Sequence, residues 1–164
     1  MPFRLSTRKS RFHRRHARDR SGMRGAEKRT VNAVDTNVLI RYLINDDPKQ
    51  SPLAIELVAK AACGLTDPLW IGFGVVLEMI WVLGSRYRVP RDTIIEVLDR
   101  VLHHSAFKLE SPDVISEFFR QAPLCETELD DLLLGLAARQ NACDSVFTFD
   151  RLAAKNPLYK LVRG

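Results

Sequence analysis

The feature that most constrains this chain is the stretch from Val31 to Ile44, Val-Asn-Ala-Val-Asp35-Thr36-Asn37-Val-Leu-Ile-Arg-Tyr-Leu-Ile. A short apolar run, Val31 to Val34, stops at an Asp; a polar pair follows, and then an apolar segment long enough for two helical turns. The pattern predicts a buried strand that carries the Asp35 carboxylate to its carboxyl end, with Asp35 or Thr36 capping the next helix. Ligands of open α/β sheets bind at that end of the strands. Capping alone explains a lone Asp, so a larger role for Asp35 depends on partners elsewhere in the chain.

The charge is unevenly spread. Residues 1–30 hold eleven Lys and Arg against Asp19 and Glu27, a net +9, within a total of +5. The remainder carries fourteen basic and eighteen acidic side chains, a net −4. The basic balance therefore belongs to the first segment and does not argue that the folded body binds nucleic acid. Residues 1–30 are rich in Arg, Ser and His with almost no large apolar residues, so burial cannot order them and a disordered extension is expected. Such a segment reads as a nucleic-acid-binding arm, a transit peptide, or upstream sequence translated from a start placed too early. The last ranks first, because Met23 stands just before the first strand. Residues 31–164 are long enough for one core.

Cys63, Cys125 and Cys143 have no Cys-x-x-Cys spacing and no His partner, and read as reduced, buried thiols. The most apolar run, Leu69 to Gly84, is too short to span a bilayer and contains Glu78. No apolar leader is evident, and a cytoplasmic protein without membrane contact is expected.

From Val31 onward, strand and helix patterns alternate. Helices are expected from Pro48 to about Ala62, Phe73 to Tyr87, Arg91 to His104, Pro112 to Gln121 behind Ser111 as cap, and Thr127 to Asn141. Strands are expected at Leu69–Ile71, Ala106–Leu109, Ser145–Phe149 (buried) and, at an edge, Tyr159–Val162. This alternation predicts an α/β fold with a central, mostly parallel β-sheet flanked by helices.

Three further acids sit where an acid is costly. Glu78 lies inside Val75-Val-Leu-Glu-Met-Ile-Trp-Val-Leu83 and is expected to be partly buried, either paired with an Arg such as Arg41 or Arg86, or bound to a cation. Asp150 ends the strand Val146–Phe149 just as Asp35 ends Val31–Val34, and in one parallel sheet both lie at the same edge. Asp130 and Asp131 are adjacent on a helix. Thr127-x-x-Asp130 fits a capping box, so the functional role goes to Asp131 with Asp130 in reserve. Gly135 and Ala138, at i+4 and i+7 from Asp131, form a small-residue stripe for close approach to the sheet. Four carboxylates gathered at one edge repel unless a cation neutralises them, and a hard ion with oxygen ligands, Mg²⁺ or Mn²⁺, meets that demand.

These residues, in this order, resemble the PIN-domain ribonucleases, and most closely the VapC toxins of bacterial toxin–antitoxin modules. The likeness rests on Val34-Asp35-Thr36-Asn37, on Glu78 in an apolar helix, on Asp131 opening Leu-Leu-Leu-Gly-Leu-Ala-Ala-Arg139, and on Thr148-Phe149-Asp150-Arg151. Arg41-Tyr42-Leu43 and Asp46-Asp47-Pro48 add to it. It runs from about residue 31 to the C-terminus and leaves the basic extension uncovered. The resemblance implies that Asp35, Glu78, Asp131 and Asp150 are catalytic and hold one or two Mg²⁺ ions, with Asn37 and Thr148 as polar supports. It further implies an RNA substrate cut by metal-activated water to leave a 5′-phosphate, a homodimer, and a cognate antitoxin that blocks the acidic site. The alternative is a non-catalytic nucleic-acid-binding PIN-like protein that uses the basic arm. A phosphatase of the haloacid dehalogenase type would need an Asp at position 37, where this chain has Asn.

Overall fold

The computed structural model describes residues 31–163, so the basic segment before Val31 lies outside the described residues. The first apolar run lies against a strand but is not the buried strand expected: it makes one bridge, Val31 is 52% exposed and only Val34 is buried. Val34 N donates to Trp70 O at 3.0 Å, and Trp70 N donates to Asn32 O at 2.8 Å. These bonds fix Ala33 in a parallel bridge beside β1 (Leu69–Ile71). β1 in turn pairs in parallel with β2 (Phe107–Leu109), Leu69 opposite Phe107.

α1 (Thr36–Ile44) begins at Asp35, whose carboxylate accepts from Val38 N at 2.9 Å. It ends at Asn45 in the left-handed region, φ 54°. α2 (Gln50–Ala62) starts two residues later than Pro48, because the Asp47 carboxylate takes the N–H groups of Lys49 and Gln50 at 2.8 and 2.7 Å. Gly64, φ +70°, turns the chain away from it. α3 (Phe73–Trp81) runs on into a π-helical turn, Val82–Arg86. Its first N–H, at Phe73, is satisfied from across the sheet by Glu110 at 2.5 Å.

α4 (Arg91–Leu102) precedes β2, and α5 (Pro112–Gln121) and α6 (Leu129–Gln140) follow it. The core lies between these helices and the strands: Leu39, Ile71, Met79, Leu83, Leu98, Phe118 and Leu132 have no exposed surface. Arg91 secures the loop before α6 by donating to the carbonyls of Thr127, Ala122 and Cys125 at 2.7, 3.0 and 2.9 Å.

β3 (Val146–Thr148) and β4 (Tyr159–Leu161) form the other parallel pair, Val146 opposite Tyr159, with a 3₁₀ turn at Ala153–Lys155 between them. Every pairing among the described residues is parallel and helices dominate, which gives the expected α/β class. The single central sheet is corrected in one respect: β3 pairs with β4 and not with the Asn32–Val34 segment. Asp35 thus follows a segment bridged to β1, whereas Asp150 follows the β3–β4 pair.

β3 is not a buried strand either, since Phe147 is 72% and Phe149 82% exposed. With one face uncovered it lacks the two-sided burial that defines a central parallel strand. Three smaller expectations also change. Thr127 is no cap: Glu128 occupies that position, and the Thr127 hydroxyl accepts from Asn156 Nδ2 at 2.9 Å. Ser111 precedes α5 without a side-chain capping bond. Cys63 and Cys143 are exposed free thiols, because they stand in the turns that end α2 and follow α6.

The small-residue stripe on α6 does bring it close to β4. A Cβ built on Gly135 would lie 2.9 Å from Leu158 Cδ1, 3.0 Å from Leu158 Cβ and 3.0 Å from the Tyr159 ring. Tyr159 cannot swing aside freely, because its hydroxyl donates to the Asp131 carbonyl at 2.6 Å. Gly135→Ala gains ~1 kcal/mol in helix propensity but overpacks this contact at a cost of about 1–3 kcal/mol. A net loss and a lower melting temperature are expected in thermal unfolding, the opposite of an ordinary mid-helix Gly→Ala change.

Candidate functional site

Thr36, the first residue of α1, is buried and donates its hydroxyl to Glu78 Oε2 at 2.6 Å. This bond ties the start of α1 to the middle of α3. Glu78 itself is exposed, contrary to expectation. Gly74, Glu78 and Trp81 fall at i, i+4 and i+7 on one solvent-facing stripe of α3, while Val76, Met79, Ile80 and Leu83 face the core. The bulky neighbour exposed along with Glu78 is Trp81, at 60%. Neither candidate arginine pairs with Glu78: Arg41 pairs with Asp46 at 2.6 Å, and no ion pair to Glu78 exists among the described residues.

Across from that stripe stands the first turn of α6. Glu78, Trp81, Asp130, Asp131 and Leu134 line one open cleft of about 440 Å³. Burial, then the charges of Asp130, Asp150 and Glu128, push the Asp131 carboxyl above its ordinary range. Asp130 Oδ1 accepts from Asp131 N at 3.0 Å, so Asp130 serves its own helix start without the capping box expected with Thr127. Tyr159 is pushed up to about 12, first by burial and then by Asp131 and Asp130, and stays a protonated donor beneath the turn.

Asp150 is exposed and caps the turn that follows it, accepting from Leu152 N at 2.6 Å and Ala153 N at 3.4 Å. Thr148 holds it in place by accepting from Asp150 N at 2.9 Å. Asp35, occupied with Val38 N, lines a separate groove between α1 and α2 together with exposed Asn37 and Arg41. The structure thus gathers Glu78, Asp130 and Asp131 at one cleft and sets Asp150 within the electrostatic reach of Asp131. It leaves the Asp35 and Asn37 side chains in the neighbouring groove. The sequence reads Thr36 only as a candidate helix cap beside Asp35 and Tyr159 only as the start of an edge strand, and gives neither a place in the site. The only available signal was a hydroxyl at the first helical position directly after Asp35.

Among the described residues, no three His, Cys, Asp or Glu side chains converge closely enough to hold a metal ion. The donor chemistry still suits a hard divalent cation. Every candidate is a carboxylate or hydroxyl oxygen, and no Lys or Arg among the described residues forms an ion pair with Glu78, Asp130, Asp131 or Asp150. No Lys or Arg side chain among the described residues pairs with Asp131 to offset the neighbouring acids.

Short parallel strands between helices, with an acid-lined cleft where α3 meets α6, define an α/β domain built to present carboxylates. Residues 33–157 match the PIN domain family, and the chain belongs to it. Over 121 residues it is 23% identical to a protein named VapC ribonuclease from Aquifex aeolicus (strain VF5), an alignment covering 74% of this chain and 88% of the relative. No helix among the described residues is long and apolar enough to cross a membrane.

Because folding raises the Asp131 pKa, the folded chain binds this proton more tightly than the unfolded one. The associated stability is present below the ordinary Asp range and is lost as pH rises through the folded pKa. Asp131→Asn is therefore expected to raise the melting temperature at neutral pH, with the gain shrinking to nothing in acid. Thermal melts of both proteins across that pH range check the sign.

Proposed function

We propose that this chain is a metal-dependent endoribonuclease of the VapC toxin type, with residues 31–164 as its PIN domain and residues 1–30 as an extension outside it. One observation carries the reading: in a PIN-family chain, Glu78 faces Asp130 and Asp131 across one cleft, with no basic side chain paired to them among the described residues. The similarity to a VapC ribonuclease supports RNA as the polymer.

The residues that would hold a divalent cation, Mg²⁺ or Mn²⁺, are Glu78 and Asp131, with Asp35 and Asp150 beside them and Asp130 as the alternative to Asp131. When bound, such an ion supplies acidification of water and neutralisation of charge on the departing oxygen. The chain's own side chains do the positioning. The Thr36 hydroxyl fixes the orientation of Glu78, Thr148 fixes the backbone of Asp150, and Asn37 lines the groove beside Asp35 as its polar support when substrate and ion are bound. Trp81 and Leu134 give the cleft apolar walls. Water attacks phosphorus in line, the bond to the 3′ oxygen breaks, and a 5′-phosphate remains. The same reading gives the chain a cognate antitoxin that covers the acidic cleft, a homodimeric assembly and a cytoplasmic location.

Asp35→Asn and Glu78→Gln are each expected to reduce RNA cleavage to background while circular dichroism and melting temperature stay near wild type. Full divalent-ion-dependent cleavage by either purified variant would show the site assignment to be wrong. Thr36 is a positioning residue: Thr36→Val is expected to lower cleavage about 10–100-fold, the usual range for a group that orients a metal ligand. Thr36→Ser, which keeps the hydroxyl, recovers most of it. Equal activity of the Val and Ser variants would remove Thr36 from the site.

A further inference from the structure

We infer that the uncovered face of the β3–β4 pair is a stacking platform for single-stranded RNA, an inference that rests on the ribonuclease reading and names how the substrate is held. Parallel register puts Phe147 beside Lys160. Phe149, directly after β3, lines the same groove as Phe147 and so stands on that side. Val162, whose N–H donates to Thr148 O at 2.8 Å, completes that side next to Phe149. Phe147 is 72%, Phe149 82% and Val162 39% exposed, whereas Tyr159 on the opposite side is buried at 6%. Single exposed apolar residues are ordinary. Two phenylalanine rings on one face of a strand pair are a surface.

The charges around this surface say what it fits. Arg151, Lys160 and Arg163 line the same groove as the two rings. None of them forms an ion pair among the described residues, whereas Arg41, Lys60, Arg120 and Arg139 all do. Three unpaired cations in a body of net −4 are a local concentration that complements a polyanion. Rings among cations suit a polymer with both phosphates and stackable bases, and single strands offer their bases where duplexes do not. Phe149 directly precedes Asp150, so the platform leads to the acids along the chain. A second copy of this chain is a poorer occupant, because a two-fold contact would confront three cations with three.

The test is equilibrium binding of the full chain to a short fluorescein-labelled single-stranded RNA in EDTA, read by fluorescence anisotropy, so that binding is separated from cutting. The double substitution Phe147→Ala with Phe149→Ala, at two exposed positions, is expected to weaken binding roughly tenfold or more. Phe147→Tyr retains affinity and Phe147→Leu does not. Arg151→Ala, Lys160→Ala and Arg163→Ala each flatten the plot of log affinity against log salt by about 0.7. A blunt duplex of the same sequence binds more weakly and ignores the Phe substitutions.

Wild-type affinity in the double variant overturns the platform. So does sedimentation showing that the double variant loses an oligomer while its RNA affinity is unchanged, which would assign the face to a second copy. Cleavage by the wild-type chain in Mg²⁺, run alongside, separates the two readings. Cutting without a Phe effect on binding removes only the platform, and absence of cutting removes the ribonuclease reading itself.

Discussion

Where α6 crosses β4, the missing Cβ of Gly135 lets helix and strand approach until Leu158 and the Tyr159 ring fill the space a side chain would take. That contact fixes the height and rotation of α6, and the Tyr159 hydroxyl then pins the backbone of its first turn at Asp131. The first turn of a helix favours negative charge, because its free N–H groups make that end positive. Asp130 and Asp131 can therefore stand side by side at a position where they would otherwise be costly. At the far end of the same helix, Arg139 reaches Glu117 of α5 at 3.1 Å and ties the two helices together.

Two carboxylates on this helix pair show how differently acids are treated. Glu117 is held down to about 2 by hydrogen bonds from Arg120, Gln121 and Arg139, and works as a structural anion. Asp131 is pushed the other way by burial and by three neighbouring acids. A protein built for stability alone would place a cation beside Asp131 as it has beside Glu117. Among the described residues it has not, and the cleft keeps a deficit of positive charge.

Much of this was legible in the sequence. Apolar periodicity marked α3, α4 and α5 to within a few residues, and the acid at the end of Val31–Val34 marked the start of α1. Helix ends were harder, because side-chain caps come from across the fold as well as from the adjacent residue. Glu110 satisfies α3 from thirty-seven positions away, and Thr127 bonds to Asn156 in place of its own helix. Glu78 reads as partly buried because bulky apolar residues flank it on both sides, and the helix exposes it by exposing one of them, Trp81, as well. On a lone helix nothing distinguishes a tryptophan that faces the core from one that walls a cleft. The uncovered face of β3 was hidden for a similar reason. Val-Phe-Thr-Phe has the composition of a buried strand, and only pairing partners decide whether both faces are covered.

The loop that delivers α6 is held by the Arg91 guanidinium, which grips three carbonyls at once. A guanidinium does not give up its proton at any pH a folded protein meets. That hold is thus indifferent to acidity, because neither the guanidinium nor the carbonyls it grips titrate, while the carboxylates at the start of the helix it delivers do. The loop keeps its place over a range of pH in which the charge presented by the cleft changes.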